Sequence, residues 1–262
     1  MSVAQGEPNE YSPKFWRGRA VNSLSAGTEL RLREMDITNP KYAQKALRRS
    51  LDKRTRIQQR NEERILDAAQ SVFAKYGFHG ATIDRIAEKA DMSKPNLHYY
   101  FQHKRDLYGA VLRRTLEIWL APLAELDPEG DPAQELANYI VLKVEMSRQF
   151  PIASRVFANE ILQGAPFLRT YLKTELRDIV DRKAKVIEHW IERGALNPVD
   201  PYHLIFLIWA ATQHYADFLP QVKAVMNVPR LNKEHFHQIE ESLCQIILRG
   251  LIPQDAGTAT KA

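Results

Sequence analysis

Between Thr82 and Phe101 the chain reads TIDRIAEKADMSKPNLHYYF, and no other stretch restricts the fold as much. Ile83, Ile86, Ala87 and Ala90 recur at helical spacing and give one apolar face, with Thr82 placed before it as an N-cap. Only Asp91 and Met92 separate this helix from the next. Ser93 opens the second helix as its N-cap, and Pro95 enters the first turn, where a missing N–H costs little. Two short helices on so tight a turn suit a second helix lying in the major groove of DNA. Lys94, Asn96, His98 and Tyr99 are the groove-facing candidates, able to bond phosphates or base edges. Helix pairs of this kind also occur in proteins that never touch DNA, so the neighbouring residues carry weight. Downstream, Lys104 and Arg105 bring two cations to a new helix start, exposed and close to any bound backbone.

The wider run AKYGFHGATIDRIAEKADMSKPNLHYYFQHKRDLY resembles the DNA-binding domain of the tetracycline-repressor (TetR) family of transcriptional regulators. The resemblance rests on Tyr-Gly-Phe before the motif, the Thr-Ile and Ile-Ala core, Ser-Lys at the recognition helix, Tyr-Tyr-Phe at its end, and Lys104 beyond. It implies that Thr82, Ser93, Lys94, Asn96, His98, Tyr99, Tyr100 and Lys104 meet double-stranded DNA. Asp91 departs from the family, which usually places Gly in that turn; Asp tolerates a left-handed backbone better than most residues. The chain also starts further upstream than most of the family, which makes Met35 an alternative start.

The expected fold is all-α: an N-terminal three-helix helix-turn-helix domain followed by a C-terminal helical ligand-binding and dimerisation domain. The boundaries read as a flexible basic extension at 1–57, the DNA-binding domain at 58–104, the second domain at 105–253, and a disordered tail at 254–262. The extension mixes Gly, Pro, Ser and charges with little helical period until Tyr42. From Lys41 to Arg64, Arg56 among them, cations far outnumber acids. Such an arm is either a solvated tail or a strand of charge along the phosphate backbone, and beside a helix-turn-helix the second is favoured. The first core helix runs from about Arg60 to Tyr76, stopped by Gly77. A helix from Arg105 to Leu126 is too apolar to be solvated on more than one face and bridges the head to the second domain. Further helices span about Pro132–Gln149, Ile152–Gln163, Phe167–Arg193, Pro201–Leu219 and Asn232–Arg249, with no strand alternation anywhere.

Composition excludes more than it assigns. A formal charge of +5 fits an anionic partner without proving one. One cysteine, Cys244, rules out an internal disulfide framework and a cysteine-based zinc finger. The N-terminus lacks a signal-peptide pattern and the longest apolar run, Leu204–Ala211, is far short of a membrane span, so a cytoplasmic location is expected. No phosphate loop, zinc-protease or nucleophile-elbow motif is present, and no catalytic residue, metal or cofactor is assigned. His235 and His237 fall on different helix faces, and Glu160 and His214 read as core or pocket polar groups.

Two features point to an effector site. Trp209 and Gln213 share one face of an otherwise apolar helix, and Trp119 is a second large ring, on the bridging helix. They are either plain core residues or a pocket in which rings stack a planar ligand and an amide reads its edge. The segments around Trp119, Pro151–Phe157, Gly164–Pro166 and Pro201–Phe218 are similar to pyrimidine-utilisation regulators within the family. That similarity implies a homodimer on a pseudo-palindromic operator, released by uracil or thymine, with Trp119, Phe157, Glu160, Trp209 and Gln213 at the ligand. Gln213 is expected to choose uracil over cytosine. A different planar effector, a purine or an aromatic acid, is the alternative within the family; a helical enzyme or interaction module with an incidental helix-turn-helix is the alternative outside it. Leu204, Ile208, Ile239, Leu243 and Ile247, on two apolar helices, are the expected dimer contacts.

Overall fold

The computed structural model describes residues 56–253, so nearly all of the expected extension and the whole of the expected tail lie outside the described residues. The described residues from Arg60 onward belong to one compact unit. Among the described residues there are helices and no strand.

α1 (Arg56–Gly80) begins four residues before the expected start and breaks at Gly77, whose φ of 66° and ψ of 178° leave the helix. A side chain is disfavoured at that φ, which is why the stop falls on a glycine. α2 (Ile83–Lys89) and α3 (Lys94–Tyr100) are capped as their sequence dictates. Thr82 Oγ1 accepts from the Arg85 amide at 3.3 Å, and Ser93 Oγ accepts from the Asn96 amide at 3.3 Å. The turn between them passes through Asp91 at φ 50°, the left-handed backbone that Gly would otherwise supply. Arg64 on α1 braces the same turn, donating to the Asp91 carbonyl at 3.1 Å and pairing with its carboxylate at 3.7 Å.

α4 (Lys104–Ala124) belongs to two cores at once. Leu107, Val111, Leu112 and Leu116 join Ile65, Phe73, Ile86 and Leu97 of the head, whereas Leu123 joins a second core built from Tyr139, Ile140, Ile187, Trp190, Ile205, Ile208 and Phe236. The bridging role expected of this helix is thus a matter of which residues it buries at each end. α5 (Pro132–Gln149) opens on the Asp131 cap. Next come α6 (Pro151–Leu162) and a composite α7, in which Arg169–Tyr171 runs through a π turn, Leu172–Leu176, into Arg177–Glu192. α8 (Pro201–Asp217) is capped by Asp200, α9 is Leu219–Val225, and α10 (Lys233–Leu251) is capped by the reciprocal Asn232–His235 pair. Both α8 and α10 pack against α5. Trp190 Nε1 donates to the Pro128 carbonyl at 2.9 Å and Lys183 Nζ to the Leu126 carbonyl at 2.9 Å, fastening the loop after α4 to α7.

The expected dimer contacts need correction. Leu204, Ile208, Ile239 and Ile247 are all buried in the second core of the protomer, and Leu243 packs half-buried against it. Their area is already spent holding α8 and α10 to α5. Among the apolar side chains that the same helices leave exposed, Phe206 and Leu207 on α8 and Ile246 on α10 stand out most, at 49%, 54% and 72%.

Candidate DNA-binding face and effector site

On the head, the expected DNA contacts fall into two groups. Asn96 and Tyr99 stand exposed on α3, Tyr99 with its ring edge-on to Tyr100 at 5.2 Å. Thr82 and Ser93 are exposed as well, each with its hydroxyl engaged in a helix cap, and Arg56 is exposed at the start of α1. Lys94 is solvent-facing but its ammonium sits 2.9 Å from Asp84, and the hydrogen bond from Lys94 lowers the Asp84 pKa. An anionic phosphate would compete for the same ammonium.

The second group is structural. His98 Nδ1 lies 3.1 Å from the Gln102 carbonyl, which requires the proton on that nitrogen. Tyr100 accepts from Asn61 Nδ2 at 3.1 Å and ties α3 to α1. Lys104 departs furthest from expectation. Its ammonium donates to the Ala81 carbonyl at 2.9 Å and rests 4.6 Å from the centroid of Phe78. It is a half-buried staple between α4 and the loop before α2, rather than a free cation for phosphate.

The expected effector residues also separate. Glu160 is 1% exposed, and one carboxylate oxygen accepts from the amides of Phe167 at 2.6 Å and Leu168 at 3.3 Å. The Tyr108 hydroxyl also bonds this carboxylate, and burial together with its charge pushes the Tyr108 pKa well up. Glu160 therefore pins the start of α7 to α4, accepting from two amides and a hydroxyl; the structure gives it the role of an anchor beside the ligand contact expected of it. Phe157 packs half-buried against the first core. Beside them, Phe78, Tyr108 and Phe167 cluster tilted and edge-on with centroids within 5.1 Å of one another, with Arg105 over Phe167 at 5.2 Å.

Trp119 and Trp209 gather on α5. Trp209 Nε1 donates to the Tyr139 hydroxyl at 2.5 Å. One turn further along α5, Lys143 places its ammonium 4.0 Å from the centroid of the Trp119 ring. The face of Trp119 expected to stack a ligand thus carries a cation. Another turn on, Ser147 Oγ donates to the Thr212 carbonyl at 2.8 Å, and Asp217 at the end of α8 accepts from Ser154 Oγ. Trp209, Gln213 and Asp217 recur every fourth residue on α8, and Tyr139, Lys143 and Ser147 at the same spacing on α5; Trp209 meets Tyr139, and the charge of Asp217 acts on Lys143. Tyr139, Lys143 and Asp217 were missed in the sequence, although a lysine in the apolar stripe Leu136–Tyr139–Ile140–Val144 was a readable signal.

Trp209 also walls a cleft of about 680 Å³ between α7 and α8, lined further by Leu172, Leu176, Arg177, Tyr202 and Phe206. A second cleft of about 440 Å³ is lined by Arg148, Lys223, Arg230, Lys233, Tyr215 and Phe236. No helix among the described residues is long and apolar enough to cross a membrane.

Known proteins share both halves of this arrangement. The family described as bacterial regulatory proteins, tetR family, matches residues 65–111, and that described as YcdC-like protein, C-terminal region, matches residues 112–254. The HTH-type transcriptional regulator RutR of Escherichia coli K12 is 46% identical over 202 residues, 77% of this chain and 95% of its own length. The fold is that of the ketosteroid transcriptional regulator KstR2 of Mycobacterium tuberculosis, with a TM-score of 0.58 at 18% identity, covering 74% of this chain and 95% of that one. AibR in complex with isovaleryl coenzyme A and operator DNA gives 0.55 at 19% identity, covering 71% of this chain and 97% of that one. These relatives are regulators of transcription, not enzymes. The two-core architecture, the capped recognition helix and these matches agree: the chain belongs to the TetR family of bacterial transcriptional regulators.

Proposed function

We propose that the protein is a homodimeric regulator of pyrimidine utilisation that binds a pseudo-palindromic operator and is released from it by uracil or thymine. One observation carries this reading: α4 holds Trp119 in a buried, donor-rich cluster at one end and the core of the DNA-binding head at the other. A ligand bound at that cluster alters DNA affinity by favouring one position of α4 over another. The likeness of the Trp119, Pro201–Phe218 and neighbouring segments to pyrimidine-utilisation regulators supports the choice of effector. Exposed Asn96 and Tyr99 are the base-reading residues, with Lys94 turning from Asp84 to phosphate on DNA. Phe206, Leu207 and Ile246 form the face that meets a second copy.

The cations around the smaller cleft favour a second reading in which the effector is an acid, such as an aromatic carboxylate. Gel shift on the promoter beside the protein's own gene separates the two. Uracil or thymine should release the DNA and benzoate should not; release by benzoate alone would establish the second reading.

A further inference from the structure

α5 carries a cation where its spacing calls for an apolar residue. Lys143 is 2% exposed, within the stripe that includes Tyr139, Ile140 and Val144. Buried ammonium groups are paired or pushed toward neutrality. Among the described residues no ion pair or hydrogen bond ends on Lys143 Nζ; its near neighbour is the face of Trp119. Asp217 attracts it without pairing and spends a carboxylate oxygen on Ser154. The indole Nε1 of Trp119 is buried without an acceptor. Buried polar groups are nearly always bonded, yet here the indole N–H has no acceptor and the ammonium beside it meets a ring face and the field of Asp217.

We propose that Lys143 is the residue that selects the effector: its ammonium, with the indole N–H of Trp119, donates to ring carbonyl oxygens, so the site takes diketo six-membered rings and rejects ring amines. This rests on the reading of the cluster as the effector site and says what chooses within it. Gln213 cannot make that choice alone. A carboxamide carries one acceptor and one donor end and matches either the uracil or the cytosine edge by turning over. A lysine ammonium has donors only. Opposite it, the carbonyls of uracil and thymine are satisfied, whereas the amine of cytosine sets donor against donor.

The ammonium is the selecting form, which links binding to pH. Burial holds the Lys143 amine down to about 7, with Asp217 pulling the other way. Trp119 faces it from α4, Tyr139 and Ser147 flank it on α5, and Asp217 lies toward it from α8 with Ser154, Arg155 and His214 acting on that carboxylate. A carbonyl acceptor favours the charged amine, so above about pH 7 the effector binds with uptake of a proton, and its affinity falls as pH rises.

Titration calorimetry on the full chain at pH 8, in two buffers of different ionisation enthalpy, tests this with uracil, thymine and cytosine. Wild type should bind uracil and thymine about tenfold or more above cytosine and take up a proton. Lys143→Met, apolar and of similar length, should weaken uracil about tenfold or more, bring the uracil-to-cytosine ratio near one and abolish proton uptake, while effector-free operator binding is unchanged. Gln213→Leu should weaken every base yet keep the uracil preference. A Lys143→Met protein with the wild-type preference would overturn the assignment and leave the pyrimidine reading standing; wild type that binds none of the bases would overturn both. Should Lys143→Met lose operator binding, Lys143→Arg decides, since it keeps donors and charge: preference retained without proton uptake supports the role, preference lost refutes it.

Discussion

Glu240 shows how one side chain ties stability to pH. It is 4% exposed on α10, and its Oε2 and the Nδ1 of His237, 3.8 Å away, are both buried without a hydrogen bond. Burial, with Glu145 across on α5, raises its carboxyl to about 7, against a smaller opposing pull from Arg148. Between about pH 4.5 and 7 the folded protein therefore holds a proton that the unfolded chain has lost, and stability falls as pH rises through that window. A tenfold difference in proton affinity between the folded and unfolded chain is worth about 1.4 kcal/mol, and partial hydration trims the whole effect to about 2 kcal/mol. Glu240→Gln should stabilise the protein by that amount at pH 8 and scarcely at pH 5, as thermal melts at the two pH values would show. Nothing local marks Glu240 as buried, because the residues that desolvate it come from α5, far away in the chain. Asp91 is the opposite case. Its left-handed backbone was expected from the family resemblance, which places Gly in that turn, and the structure gives it φ 50°.

At the scale of elements, what was legible is what a helix decides within itself. The caps at Thr82, Ser93, Asp131 and Asp200 lie at or beside the residues that the local pattern marks. The inward face of α8 was not legible, because a helix apolar on every side over two turns has no polar stripe to give its phase, and on α10 the run Ile246–Ile247–Leu248 blurs it. Ile247 and Ile246 are adjacent and chemically identical, yet one closes the core and the other faces outward. Lys104 failed for a related reason: a lysine at a helix start looks solvated until the carbonyl of Ala81 is known to lie beneath it. Glu160 exemplifies contacts between elements that no spacing reveals. Glu160→Ala strands the amides of Phe167 and Leu168 together with the Tyr108 hydroxyl. Unpaired buried groups cost about 1–3 kcal/mol each, partly relieved by water, so a loss of about 2–4 kcal/mol is expected. Glu160→Gln keeps an oxygen for the amides and should lose less than half of that in urea unfolding.

For the whole molecule, the dimer we propose turns on two heads held by one interface. A single head buries on the order of 600–1,000 Å² on DNA, too little for a specific site alone. Leu207→Glu together with Ile246→Glu should give a folded monomer by sedimentation and circular dichroism that no longer shifts the operator. Ile247→Glu should unfold the protein instead, because it puts a charge into the core. A double mutant that remained dimeric would remove these side chains from the interface.

α4 has a mechanical consequence. Its 21 residues form a rod about 31 Å long, and Trp119 lies about 22 Å along it from Lys104. If the rod tilts about Trp119 by roughly 5°, the end that carries the head sweeps about 2 Å. In the proposed dimer, two-fold symmetry sends the second head the opposite way, so the gap between recognition helices changes by about 4 Å. That is more than one base-pair rise of about 3.4 Å, so the two heads no longer fit the pitch of the duplex together. A ring the size of uracil need not reach the DNA-binding head, or even be large, to release an operator: a small angle at a long radius is enough.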